Sequence, residues 1–318
     1  MLDAPASERV VIVLGGNAFV KPGTPLTMAG QFRFARDALA SLRPLFDGSR
    51  QVVITHGNGP QVGHILTRVE AALGKAYAIP LEVCVAESEG ELGYVLQQTL
   101  YNLLSEWHAV RPIAGLVTQV VVDPHDPAFA RPTKPIGLFY TGEQAAQLRQ
   151  KGFVVNEDSG RGYRRMVPSP APREVVEIDI VRVLLDAGAL VICGGGGGIP
   201  VVREDGRLRG VEAVIDKDLT SALVATAIGA RLMVILTGVP CAYRNFNSPR
   251  QEPLGRLSVH QTRQLLAEGH FPPGSMGPKI EAAIQFASQP KACAIICNPE
   301  NLPAALQGNA GTIIRSSD

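Results

Sequence analysis

The sequence predicts an α/β protein: a three-layer αβα sandwich on a mainly parallel sheet, with a small protruding subdomain. Three observations carry that prediction. Short β-branched runs end in glycine, they alternate with helical segments along nearly the whole chain, and the alternation breaks once, between residues 123 and 172. Strands that are apolar on successive residues need cover on both faces, and helical crossovers keep neighbouring strands parallel.

Taken in order, residues 10–14 and 52–55 are strands around a helical segment near residues 30–46, one βαβ unit. Ser88-Glu89-Gly90-Glu91 matches a capping box opening a helix over residues 92–104. A helix at 177–187 leads into a strand at 190–193, and a helix at 219–228 into a strand at 232–236. A helix at 280–287 and strands at 292–296 and 312–314 close the series. Residues 123–172 are rich in proline and charge, with a helix at 142–151 and a hairpin at 154–167. We read them as a lid inserted within one domain spanning residues 1–318, with Phe129, Phe139, Tyr140, Phe153 and Tyr163 anchoring a small core of its own.

Composition narrows the function. A net charge of +1 over 318 residues gives no footprint for nucleic acid or an anionic membrane, so an anionic ligand has to be held by local geometry. No targeting segment and no membrane-spanning run is found, which predicts a cytoplasmic protein. The five cysteines have neither C-x-x-C spacing nor a disulfide framework, and the six histidines no H-E-x-x-H pattern, so no structural metal is expected. Seven of the thirty basic residues are lysine. A lysine kept in a Gly- or Pro-rich motif therefore points to a need for a compact ammonium, and Lys134, Lys217 and Lys279 have such surroundings.

Neither the P-loop nor the dinucleotide fingerprint is present; Gly57-Asn58-Gly59-Pro60-Gln61-Val62-Gly63 places its last glycine one residue late. Three glycine turns nevertheless follow three predicted strands: Gly15-Gly16-Asn17, Gly57-Asn58-Gly59 and the run Gly194 to Gly198. Parallel strands would put all three on one sheet edge, where backbone N–H groups and helix N-termini can face an anion; each alone equally fits a tight turn. Asp216-Lys217-Asp218 opens a helix and reads either as an N-cap with a surface lysine or as a charge triad suited to phosphoryl transfer. Lys279 sits at a helix start, where a cation is unfavourable unless something anionic lies nearby. Lys134, held between Pro132 and Pro135, is placed to close over a substrate. His56 reads as a general base or as a buried structural group, and Gly160 to Arg165 as a solvated hairpin or a phosphate contact.

At these residues the sequence resembles the carbamate kinases of the amino acid kinase family, over nearly the whole chain. The resemblance rests on Leu14 to Ala18, His56 to Gly63, Asp126 to Phe129 with Pro132 to Gly137, Arg164 to Pro170, Gly195 to Pro200, Asp216 to Asp218 and Gly274 to Lys279. It implies a homodimeric αβα sandwich that transfers phosphoryl reversibly between ATP and carbamate with Mg²⁺, the ion held mainly by nucleotide phosphates, within arginine metabolism. Carried over, Lys134, Lys217, Lys279 and Asp218 are catalytic, with Lys134 on the carbamate side. Gly15, Gly16, Asn17, Gly57 and Asn58 line the carbamate-phosphoryl pocket, and Gly195, Gly196, Asp216, Tyr243 and Met276 bind nucleotide. Two segments depart from the family's pattern: Leu236-Thr237-Gly238-Val239 for Leu-Thr-Asp-Val, and Ala86-Glu87-Ser88-Glu89-Gly90 for Ala-Met-Ser-Gln-Gly. A binding or sensor protein, or a kinase acting on another carboxylate, are the alternative readings.

Overall fold

Successive residues of the first strand, β1 (Glu8–Leu14), enter two different cores. Val11 and Val13 pack on one side of the sheet, and Val10, Ile12 and Leu14 on the other. That follows from the period of two along a strand and from a segment apolar at every position. The computed structural model describes residues 8–20, 24–158 and 162–316.

From edge to edge, with strands numbered along the chain, the eight-stranded sheet runs Arg256–Ser258 (β6), Thr312–Arg315 (β8), Cys293–Cys297 (β7), Leu232–Leu236 (β5), β1, Arg50–His56 (β2), Leu190–Ile192 (β4) and Ile113–Gly115 (β3). Six strands are parallel; β8 is antiparallel to β7, and β6 follows β8. Helices α1 (Met28–Ala40) and α3 (Leu81–Glu106) cover one face. Helices α4 (Lys217–Ala227) and α5 (Met276–Ala287) cover the other, while α2 (Gly59–Ala71) follows β2. The expected sandwich is present. Register aligns Leu14 with His56 and Ile54 with Ile192, so the three glycine turns share one edge. Between β1 and β5 the chain's connections reverse direction, which in open α/β sheets opens a crevice for ligand.

The capping box is a correction. Helix α3 starts at Leu81 after Pro80, and Ser88 lies inside it. Leu81, Cys84, Val85, Ser88 and Leu92 continue one buried stripe, and that tertiary packing overrides the local start signal.

Residues 134–140, 155–157 and 163–167 form a three-stranded antiparallel sheet beside the helix Gly142–Gln150. Its aromatic rings do not build the expected core. Arginines lie over them instead: Arg165 over Phe153 at 4.1 Å, Arg164 over Phe139 at 5.3 Å and Arg149 over Tyr163 at 5.3 Å. Phe129 packs on the main core. Gly160 and Arg161 of the basic hairpin fall outside the described residues. Among the described residues no helix is long and apolar enough to cross a membrane.

Candidate active site

Helix α4 begins on the crevice edge, and its N-cap, Asp216, accepts the Asp218 N–H at 3.0 Å through one carboxylate oxygen. The other oxygen accepts from Lys134 Nζ at 2.7 Å, an ion pair spanning 82 residues. The cap and the tether to the small sheet are therefore one side chain. Asp218 is 3% exposed and bonds two ammonium groups, Lys217 at 2.5 Å and Lys279 at 3.0 Å, one on each oxygen. Three lysines around two aspartates leave one unit of positive charge, set at a helix N-terminus whose own dipole favours anions.

Burial pushes the Lys217 ammonium below its ordinary pKa, with Lys279 adding repulsion and Asp218 and Asp216 opposing the fall. Burial alone would raise the Asp218 carboxyl, but Lys217 and Lys279 outweigh it and hold Asp218 below the usual range. Lys279 stands at the start of α5 and reaches back to Asp218, which accounts for a cation at that unfavourable position.

Gly57 and Gly15 carry the close approaches. A Cβ at Gly57 would stand 3.1 Å from Lys217 Cδ, and one at Gly15 3.1 Å from the Leu236 carbonyl oxygen. Gly16 and Asn17 complete the short turn after β1. Around Lys279 two cavities adjoin, sharing it and Thr237. One, about 370 Å³, is lined by Gly15, Gly16, Gly238 and Glu300; the other, about 180 Å³, by Tyr243, Phe246, Pro272 and Met276. Gly238 thus lines the larger of these two cavities, at the position where the sequence departs from its family pattern. A still larger cavity, about 900 Å³, lies at the opposite edge of the sheet near Arg231 and Lys291 and contains none of these groups.

The pentaglycine departs from expectation, because all five glycines are buried. Gly194, Gly196, Gly197 and Gly198 have positive φ. Protein atoms occupy the space that side chains would take: His56 and Glu89 beside Gly195, Asn58 beside Gly196, Ile215 beside Gly197 and Val120 beside Gly198. Gly195 and Gly196 thus lie beneath the Asn58 turn as packing elements rather than as an open cradle. Asn58 itself is buried and donates to Ser88 Oγ at 2.7 Å. His56 is buried, and desolvation lowers its pKa to about 4, which favours the structural reading over a general base.

Thr118 was not visible in the sequence as part of the site. Its N–H donates to Glu89 at 2.8 Å and its hydroxyl accepts from Gly194 N–H at 2.9 Å. No local pattern marks such a residue, since both partners are distant along the chain.

The model of the amino acid kinase family matches residues 8–298. The chain belongs to the amino acid kinase family. Within it, a carbamate kinase of Staphylococcus haemolyticus is 45% identical over 312 residues, covering 97% of this chain and 99% of the relative. The carbamate kinase-like protein YqeA of Escherichia coli is 45% identical over the same length and shares. The solved structure of carbamate kinase from Giardia lamblia bound to AMP-PNP has a TM-score of 0.91 at 39% identity, covering 98% of this chain and 99% of that one. Family membership makes the chain a phosphotransferase.

Proposed function

We propose that this kinase transfers phosphoryl reversibly between ATP and carbamate, using ADP and carbamoyl phosphate in the ATP-forming direction. The observation that carries it is the convergence of Lys134, Lys217 and Lys279 on Asp216 and Asp218 at the α4 N-terminus, beside the Gly15 and Gly57 turns. A β-phosphate oxygen of ADP attacks phosphorus, the bond to carbamate breaks, and carbamate leaves with the electron pair. Carbamate is already an anion, so no general base is needed; positioning and charge neutralisation suffice.

In this reading Lys217 and Lys279 neutralise the transferring phosphoryl and the nucleotide phosphates, with Asp218 fixing both. Lys134 brings the small sheet over the carbamate side as a lid. Gly15, Gly16, Asn17, Gly57 and Asn58 line the phosphoryl and carbamate pocket, and Tyr243 and Met276 wall the nucleotide. Gly195, Gly196 and Asp216 act one step back from the ligands, the two glycines by packing beneath the Asn58 turn and Asp216 by capping α4 and tethering Lys134. Mg²⁺ enters as part of the nucleotide substrate: both carboxylates at the centre are already taken by lysines, which suits an ion carried on phosphates. A cytoplasmic homodimer serving arginine metabolism completes the proposal, on the strength of the family resemblance.

The test couples ATP formation from ADP, Mg²⁺ and fresh carbamoyl phosphate to a detector enzyme. Turnover in the wild type, reduced roughly a hundredfold or more in folded Lys217→Ala and Lys134→Ala proteins, is the expected result. Absence of turnover with carbamoyl phosphate in a folded, ADP-binding wild type would overturn it.

A further inference from the structure

Glu89 is 4% exposed, yet one of its carboxyl oxygens, Oε1, is buried with no hydrogen-bond partner. The other accepts the Thr118 N–H at 2.8 Å. Thr118 in turn holds both ends of the glycine run, accepting Gly194 N–H at its hydroxyl and Ile199 N–H at its carbonyl, 2.8 Å away. The run then presses on the site from below: Asn58 covers Gly196, Ile215 covers Gly197, and Thr220 Oγ1 donates to the Gly197 carbonyl at 2.8 Å. Ile215 is followed directly by Asp216 and Lys217. The neighbouring helix residue, Ser88, holds the Asn58 amide. Two adjacent residues of α3 thus fix two of the three glycine turns, Gly57–Gly59 and Gly194–Gly198.

Resting on the proposed phosphoryl transfer, we propose that Glu89 is a positioning residue for that reaction, acting as a neutral carboxylic acid that holds the pentaglycine, through Thr118, beneath Asn58, Asp216 and Lys217. A negative charge here would be buried with one oxygen unpaired, and it would repel an anionic substrate. The groups facing Glu89 reinforce neutrality. Glu177 repels a second charge; Cys193, just after β4, is pushed up to about 12, chiefly by burial, and so stays a neutral thiol; and His56, across Gly195, stays uncharged. Burial raises the Glu89 carboxyl well above its ordinary range, Glu177 adds to the rise, and the Thr118 bond opposes it.

The experiment compares wild type, Glu89→Gln and Glu89→Ala in two assays. In ATP synthesis at pH 7, Glu89→Gln stays within about twofold of wild type, while Glu89→Ala loses roughly tenfold in kcat with little change in KM for ADP, because the glycine run shifts the lysine rather than the nucleotide pocket. Glu89→Ala with wild-type kcat, or Glu89→Gln as impaired as Glu89→Ala, would overturn the proposal. The second assay follows urea midpoints against pH and needs no substrate. A group that must keep its proton only when folded loses stability as pH rises above its unfolded value of about 4.3, so the advantage of Glu89→Gln over wild type grows from there upward. A difference that stays flat with pH would remove the neutral acid. Lys217 titrates alike in both proteins and cancels from the comparison. If wild type makes no ATP from carbamoyl phosphate, the proposed function fails, and the unfolding assay still decides the state of Glu89.

Discussion

The aliphatic chain of Lys217 crosses Gly57 so closely that a Cβ there would stand 3.1 Å from Cδ and 3.2 Å from Cε. Gly57 therefore serves Lys217 by leaving room for it. The φ at Gly57 is one that other residues adopt, so Gly57→Ala carries no backbone strain and has to move the lysine by a few tenths of an ångström. We expect kcat to fall about ten- to a hundredfold with the melting temperature nearly unchanged, measured by steady-state kinetics and circular dichroism.

Asp218 holds two ammonium groups and opposes the fall in the Lys217 pKa that burial causes. Asp218→Asn removes that opposition while leaving Lys279 nearby, so Lys217 loses its proton at lower pH. The sign is fixed: activity that needs the charged lysine disappears as pH rises through a lowered pKa. The alkaline limb of kcat should move to lower pH in the variant, and a limb that stays in place would show that Lys217 does not set it.

His56 supplies the acid counterpart. Burial lowers its pKa to about 4, so the folded protein keeps it neutral while the unfolded chain takes up a proton near pH 6.5. Between those values the unfolded state binds more protons, so stability falls as pH falls from about 6.5 to about 4. His56→Asn, which has no such proton to bind, should flatten that part of the curve of urea midpoint against pH.

The sheet was legible because its strands carry unbroken apolar runs, as in residues 10–14 and 232–236, whose burial on both faces admits few architectures. The lysines stood out because so few exist. What the sequence hid was partnership. Nothing near Lys134 announces Asp216, 82 residues on, and nothing near Thr118 announces Glu89 and Gly194. The capping box at Ser88 misled because four residues fit a helix start while the buried stripe from Leu81 had already begun the helix. The pentaglycine misled differently: lack of side chains permits close approach by anything, and here the close neighbours are Asn58, His56, Glu89, Ile215 and Val120.

Gly196 tests that last distinction. Its φ of +66° lies in the left-handed region, and the Asn58 amide occupies the place of its Cβ. Gly196→Ala costs about 1–2 kcal/mol for the backbone and about 1–3 kcal/mol more for overpacking. The melting temperature should drop by several degrees, and whatever activity remains should show a raised KM for carbamoyl phosphate as Asn58 is displaced from Ser88. Set beside Gly57→Ala, the same added methyl then separates two kinds of glycine. One variant loses rate while keeping its stability, and the other loses stability first. Were Gly196→Ala to melt like wild type and fail only in nucleotide binding, the run would face a ligand after all, and the packing account of the five glycines would be wrong.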